Sequence, residues 1–273
     1  QFGDHGLIPE EANFFIHACV VNHYLEGGYY PRKGPSIISE SICKFIFEHG
    51  GAVLVGKEVE EILIENNKAY GIKMKNGNEI KSNNIISGAG VRTTFTKLVN
   101  QSTSYDYLIN KIDRSATYLY CFINLEGSPE ELNLKSRNYW IYPHNNYKKV
   151  MDDILNNPFE AEQSCFIGFS CKKDRDWIHK DQSNAIILGA VKKELFDDWE
   201  NEKCTNRSDE YKELKNKLGK RLIDGSLLRY FPQLKNKISY FEVDTPLTNN
   251  FYLNYVDGES YGLKMDTYRS IEN

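Results

Sequence analysis

The chain has 273 residues, 34 basic and 38 acidic, for a formal charge of -4, and 40% of its side chains are apolar. That length allows one large domain or two ordinary ones and can bury a core without disulfide staples. A mixed, slightly acidic charge with no basic block argues against a nucleic-acid surface, and recurring apolar runs argue against disorder. Aromatic residues, 13% with 18 Tyr and 14 Phe, are the compositional excess. The longest apolar-leaning stretch, Phe14 to Tyr24, is broken by His17, Asn22 and His23 and is too short to span a bilayer. No signal peptide is recognisable. The sequence opens on Gln1 and stops in the turn-like run 268–273, so it is expected to be an internal piece of a longer protein.

In chain order, residues 10–25 read as a helix with Phe14, Phe15, Ala18, Cys19, Val21 and Tyr24 as its apolar positions. The run from Gly27 to Pro35 is a turn-rich loop. Ser36 is placed to cap a helix that ends near His49, before Gly50-Gly51, with Ile38, Ile42, Phe45 and Ile46 on one face. That helix is expected to pack on strands drawn from 52–90. Those strands are read at Ala52–Val55, Val59–Ile64, Ala69–Met74 and Glu79–Lys81, with turns at Asn66-Asn67 and Asn76-Gly77. Asn84 to Gly90 reads as a buried strand ending in a small-residue turn.

Beyond residue 100 the strands are expected at 118–125, 139–142, 165–171, 185–191 and 238–243. Helices are expected at 147–156 and 159–163, with a long charged helical region from Phe196 to Phe231 broken near Thr205. No repeat, low-complexity tract or linker separates these pieces. A helical start, a small β-rich module and an α+β block suggest a chain crossing between two packed domains.

Chemistry is harder to find. There is no GxSxG, HExxH or GxxxxGK[ST] pattern, and the six histidines are scattered. The six cysteines form no CxxC, and Cys19, Cys43 and Cys121 lie in apolar runs, which reads as reduced core thiols.

The order of the weak motifs says more than any one of them. Gly27-Gly28-Tyr29-Tyr30-Pro31, Gly34, the helix ending in His49-Gly50-Gly51, Val59-Glu60-Glu61-Ile62, Tyr70-Gly71-Ile72, Asn76-Gly77 and Ile86-Ser87-Gly88-Ala89-Gly90 follow one another. This run resembles the middle of the phytoene desaturase, carotenoid isomerase and amine oxidase superfamily of FAD-dependent enzymes. Val21-Asn22-His23-Tyr24, Tyr139–Tyr142, Phe196–Trp199, Tyr230-Phe231-Pro232-Gln233-Leu234, Thr245–Leu253 and Tyr261-Gly262 extend the resemblance to its retinol-saturase branch. Lys33 and Gly88 depart from it, standing where the branch has Gly and Asn.

The resemblance implies an α/β plus α+β fold, part of a two-domain flavoprotein with a Rossmann-like FAD portion and a mixed-sheet substrate domain. Residues 1–26 would end a helical segment of the substrate domain and 27–100 would belong to the FAD domain. Residues 101–244 would form the substrate domain and 245–273 would return toward the flavin. FAD would be the cofactor, with NADPH or NADH as an electron source. Tyr30, Pro31, Gly34, Val59, Gly88 and Gly90 would touch the cofactor, and Thr248, Asn249 and Tyr252 the substrate. Tyr252 and Tyr261 are candidate proton donors, or their hydroxyls serve structural bonds.

The activity implied is saturation of a double bond in a conjugated polyene such as all-trans-retinol. The resemblance adds an apolar isoprenoid or retinoid substrate, no nucleic acid, and peripheral contact with the endoplasmic reticulum or another membrane. Two alternatives stay open: a carotenoid desaturase or isomerase, and a non-catalytic prenyl-binding escort of the GDP-dissociation-inhibitor type. If both ends of the FAD domain lie outside the sequence, the 273 residues alone are expected to bind FAD poorly.

Overall fold

A computed structural model of the chain describes residues 6–267. His5 and the run 268–273 lie outside the described residues. The first helix, Phe14–His23, starts where the Asn13 side chain accepts from Phe15 N at 2.8 Å and Ile16 N at 3.3 Å. The second, Ser36–Glu48, is capped by Pro35 rather than Ser36, and no side chain closes its first turn. Proline suits that start because its ring fixes φ and it lacks only a donor that the first turn cannot use. Gly50, at φ 76°, lets Gly51 N reach back to Ile46 O at 2.9 Å and ends the helix.

Three strands form a small antiparallel meander in the order β1 (Val59–Glu65), β2 (Lys68–Met74), β3 (Glu79–Lys81). Asn66 and Asn67, at φ 49° and 59°, make the two-residue turn between β1 and β2, a conformation asparagine tolerates better than most side chains. Register shifts at Val59/Glu61 and Leu63/Ile64 break the simple alternation, so the adjacent Ile62 and Leu63 are both buried.

Two expected strands are not there. Residues 52–55 and 84–90 are irregular, with Val55 84% and Ile86 97% exposed. Among the described residues no strand runs beside either segment, and an apolar segment without ladder partners has nothing to hold it extended. For the same reason the helix Ser36–Glu48 has no buried residue and does not pack on a sheet as expected.

The larger sheet is β5-β6-β7-β4-β8, built from β4 (Tyr118–Glu126), β5 (Asn138–Ile141), β6 (Cys165–Gly168), β7 (Gln182–Ala190) and β8 (Ile238–Asp244). All of its pairings are antiparallel. Alternation along β4 sends Leu119, Cys121, Ile123 and Leu125 to one face, where they meet Ile167, Ile187, Val243, Leu218, Leu222 and Phe196 in the core. The helix Asp209–Leu222 lies close on this face because two glycines admit it. A Cβ on Gly189 would sit 2.5 Å from Leu222 Cδ2, and one on Gly219 would sit 2.4 Å from Val243 Cγ2. The fold is thus the expected α/β plus α+β class, with the antiparallel sheet as its centre.

Further differences are local. Residues 159–163 form turns rather than a helix, and Arg221 Nη2 donates to the Ala161 carbonyl there at 2.6 Å. The segment after β8 is a helix, Pro246–Leu253, started by a reciprocal cap between Thr245 and Thr248 with proline in the first turn. Of the three cysteines expected in the core, Cys121 is buried, Cys43 is half-buried and Cys19 is exposed, on a helix that has no buried residue.

Candidate functional site

The second face of the large sheet is left for something else. Tyr118 of β4, Trp140 of β5, Phe166 of β6, and Leu188 and Ala190 of β7 line a cavity of about 720 Å³. The helix Tyr147–Asn156 closes it from one side with Tyr147, Val150, Met151 and Leu155. That helix begins at Asn146, whose side chain accepts from Lys149 N at 2.9 Å. The sheet wall is apolar and aromatic, and the helix wall mixes apolar side chains with Lys148 and Asp152.

The remaining wall is a belt of three chain segments. Ser115 N bonds Gly262 O at 2.9 Å, Lys264 N bonds Asp113 O at 2.7 Å, and Asn13 N bonds Met265 O at 3.4 Å. The belt is charged: Glu11, Asp113, Arg114, Asp257 and Lys264 line the cavity, joined by Arg92 from the short turn after Gly90. Lys264 pairs with Glu11 at 2.8 Å, and Arg114 pairs with Asp257. Burial pulls the Arg114 guanidinium below its ordinary value, and the neighbouring charge of Arg92 adds to the effect. Burial opposes the charge on Lys264, but Glu11, Asp266 and Asp113 together lift it above the usual range.

At the junction of sheet and belt, Tyr118 and Tyr261 meet edge to face with ring centroids 6.0 Å apart. Burial, reinforced by Tyr261, Tyr120 and Tyr142, raises the Tyr118 hydroxyl far above its ordinary value, so it stays protonated at any working pH. Gly6, at φ 71°, passes so close that a Cβ there would lie 2.9 Å from the Tyr118 hydroxyl.

The structure places the sequence-derived candidates in several different settings. Tyr261 lines the cavity. The Thr248 hydroxyl accepts from Thr245 N at 3.2 Å in the helix cap, and Asn249 Nδ2 donates to Gly258 O at 3.2 Å. Tyr252 is 69% exposed and stacks edge-on with Phe251. Tyr30 and Pro31 are half-buried in the loop before Gly34, and Val59 opens β1 opposite Met74. Gly90, at φ 86°, caps a short helical turn. None of these six cofactor candidates lines the cavity.

Several glycines leave their backbone open toward a flat group such as the flavin nucleotide that the resemblance implies. A Cβ built on Gly27, Gly28, Gly34 or Gly88 would meet nothing within 4 Å. Backbone that open can be approached closely by a flat or phosphate-bearing group, so these positions fit such a cofactor. No cluster of His, Cys, Asp or Glu among the described residues could hold a metal ion.

Trp140, Phe166, Leu188, Met151, Arg92 and Arg114 were not singled out from the sequence. A signal existed for some. Along β5, Trp140 alternates with the core residues Tyr139 and Ile141, and β6 and β7 alternate in the same way. Apolar residues on both faces of a strand mark a sheet covered on both sides.

Comparison with known proteins finds relatives along nearly the whole chain. The chain is 32% identical over 275 residues to the all-trans-retinol 13,14-reductase of Danio rerio, covering 96% of this chain and 45% of that one. It is 32% identical over 279 residues to the Rattus norvegicus protein of the same name, covering 97% and 46%. By sequence the chain is similar to about half of two proteins named all-trans-retinol 13,14-reductase. It spans about half the length of these relatives. A Danio rerio protein named as an inactive all-trans-retinol 13,14-reductase is 30% identical over 256 residues, matching 89% of this chain and 42% of that one. No family profile matches the chain. Among solved structures, an oxidoreductase from Methanosarcina mazei superposes on 79% of this chain and 43% of its own, with a TM-score of 0.52 and 15% identity. That likeness supports the fold.

Proposed function

We propose that this chain carries the substrate cavity of an FAD-dependent enzyme that reduces a carbon–carbon double bond in an apolar conjugated polyene, retinol being the leading candidate. The observation that carries this reading is the 720 Å³ cavity, with an aromatic floor, the apolar side of an amphipathic helix and a charged belt. A long unsaturated chain needs an apolar, water-excluding slot with a few polar groups to fix its direction. The names of the curated relatives supply the reaction class.

The bound flavin would supply hydride chemistry, with NADPH or NADH proposed as the ultimate electron source. Gly34, Gly88, Gly90, Val59, Tyr30 and Pro31 are proposed to hold the flavin nucleotide, and 27–100 to form part of its domain. Residues 101–244 would then be the substrate domain, with 245–273 returning toward the flavin. This chain's own work at the cavity is positioning and dryness. Trp140, Phe166 and Leu188 hold the polyene flat against the sheet, and the helix Tyr147–Asn156 keeps water from it. Tyr261, beside the permanently protonated Tyr118, is the tyrosine proposed to lie against the reacting chain.

The test is incubation of the full-length, flavin-loaded protein with a retinoid and a reductant. A product two mass units heavier, with a shortened chromophore, supports reduction. An isomer of unchanged mass points to isomerase chemistry instead, and stoichiometric polyene binding with no product points to a carrier.

A further inference from the structure

The charged belt also carries information about the end group of the substrate. Three observations bear on it. Arg92 lines the cavity half-buried, donates through Nη2 to the Ile112 carbonyl at 2.6 Å, and makes no ion pair among the described residues. Its Nε is shut away from solvent with no acceptor. Its charge also bears on Arg114, a second guanidinium, whose own partner is Asp257. A half-buried cation beside a like charge is costly unless an oxygen acceptor meets it, and a guanidinium has donors beyond the one Arg92 has spent.

The surrounding charge decides which oxygen. Of the charged belt residues, Lys264 is matched by Glu11 and Arg114 by Asp257, and on the helix wall Lys148 offsets Asp152; that leaves Arg92, which holds the Ile112 carbonyl, and Asp113, the next residue, which also bears on Lys264 and Arg114. Glu259, 4% exposed, adds a further negative charge near Arg114. The belt therefore holds no surplus cation. A carboxylate end group would add charge beside Asp113, Asp257 and Glu259 with nothing to neutralise it. A hydrocarbon end would leave the guanidinium dry and unpaired. A neutral hydroxyl accepts from a guanidinium and donates to a carboxylate, so it satisfies both sides.

Resting on the polyene reading above, we propose that Arg92, with Asp113 as the complementary acceptor, is the specificity determinant that takes the hydroxyl end of the polyene and so fixes which way round the chain lies on the sheet. The aromatic floor binds the rest of the molecule without regard to its direction.

The experiment uses the full-length, flavin-loaded protein and measures equilibrium binding of three probes: retinol, its methyl ether and the hydrocarbon lacking oxygen. The wild type is expected to prefer the alcohol over the hydrocarbon by about tenfold to a hundredfold, the usual consequence of leaving a buried donor unmet. Arg92→Met should abolish that preference while leaving hydrocarbon affinity and flavin content unchanged, and Arg92→Lys should restore part of it. Asp113→Asn, at an exposed position, provides a variant whose folding is not in question. It should weaken the alcohol and leave the ether, which cannot donate, unaffected. A wild type that binds all three probes equally overturns the proposal and leaves the polyene reading standing, and so does an Arg92→Met variant that weakens all three equally. A wild type that binds none of them overturns both.

Discussion

Gly258 joins the helix Pro246–Leu253 to the part of the belt that carries Asp257, Glu259 and Tyr261, and replacing it with alanine should be among the most damaging small changes in the chain. Two costs add. At φ 66° the backbone is left-handed, which costs a residue with a Cβ about 1–2 kcal/mol. The new Cβ would also lie 1.9 Å from the Pro246 carbonyl oxygen and 2.5 Å from its carbon, both backbone atoms in a helix start fixed by the Thr245 cap. Overpacking of that kind typically costs about 1–3 kcal/mol. The sum, about 2–5 kcal/mol, should appear as a lower urea midpoint with an unchanged slope. Gly262→Ala is the internal control. It has a similar φ of 71° but nothing within 4 Å of its Cβ, so only the conformational cost of about 1–2 kcal/mol applies. If Gly258→Ala and Gly262→Ala destabilise equally, the close approach to Pro246 is not what the glycine serves.

Gly219→Ala, although it improves helix propensity, should lower stability by about 1 kcal/mol or more because its Cβ would press on Val243 and Phe241; a raised urea midpoint would refute that packing. With a thiol reagent under native conditions Cys19 should react readily, while Cys121, Cys165 and Cys171 react only on unfolding; native labelling of Cys121 would contradict its burial. Burial pushes the Cys121 thiol up to about 12 and the Cys165 thiol up to about 11. Raised folded-state values mean that their contribution to stability is complete below the free-thiol range near pH 8.5 and is lost as pH climbs toward 11–12. Denaturant midpoints should therefore be level from pH 7 to about 8.5 and then fall, and a midpoint that rises above pH 9 would refute the sign. Lys33→Gly should not lower stability, since Lys33 sits at φ 68° where glycine carries no strain; a clear loss would mean that the side chain itself stabilises the loop.

Legibility in the sequence followed locality. The Asn-Asn and Asn-Gly turns, the helix Tyr147–Asn156 and all five strands of the large sheet were readable because their signals, turn residues and apolar periodicity, lie within a few positions of one another. The segments 52–55 and 84–90 were misread because an apolar run looks like a strand whether or not a neighbour exists to pair with it. The helix Pro246–Leu253 escapes a reading that follows the extended residue before Pro246, because its start is signalled instead by the Thr245 and Thr248 cap three residues apart. For the site, Tyr261 was nameable, but its partners come from β4, β5, β6, β7 and the Tyr147 helix. Which of the many aromatics share one cavity depends on strand order, and strand order is a long-range property.

The central claim, that the cavity between the sheet and the Tyr147 helix binds a polyene, can be read through Trp140, one of three tryptophans and the one that lines it. With Trp177, Trp199 and every tryptophan outside these 273 residues replaced by phenylalanine in the full-length protein, titration with retinol should quench the remaining Trp140 emission saturably through energy transfer to the bound polyene. Ala190→Trp in the Trp140→Phe background should fill the slot and block binding, as measured by the polyene's own fluorescence. If retinol binds with full affinity to that filled variant, or leaves the Trp140 emission unchanged at saturation, the polyene lies elsewhere and the site assigned here is wrong.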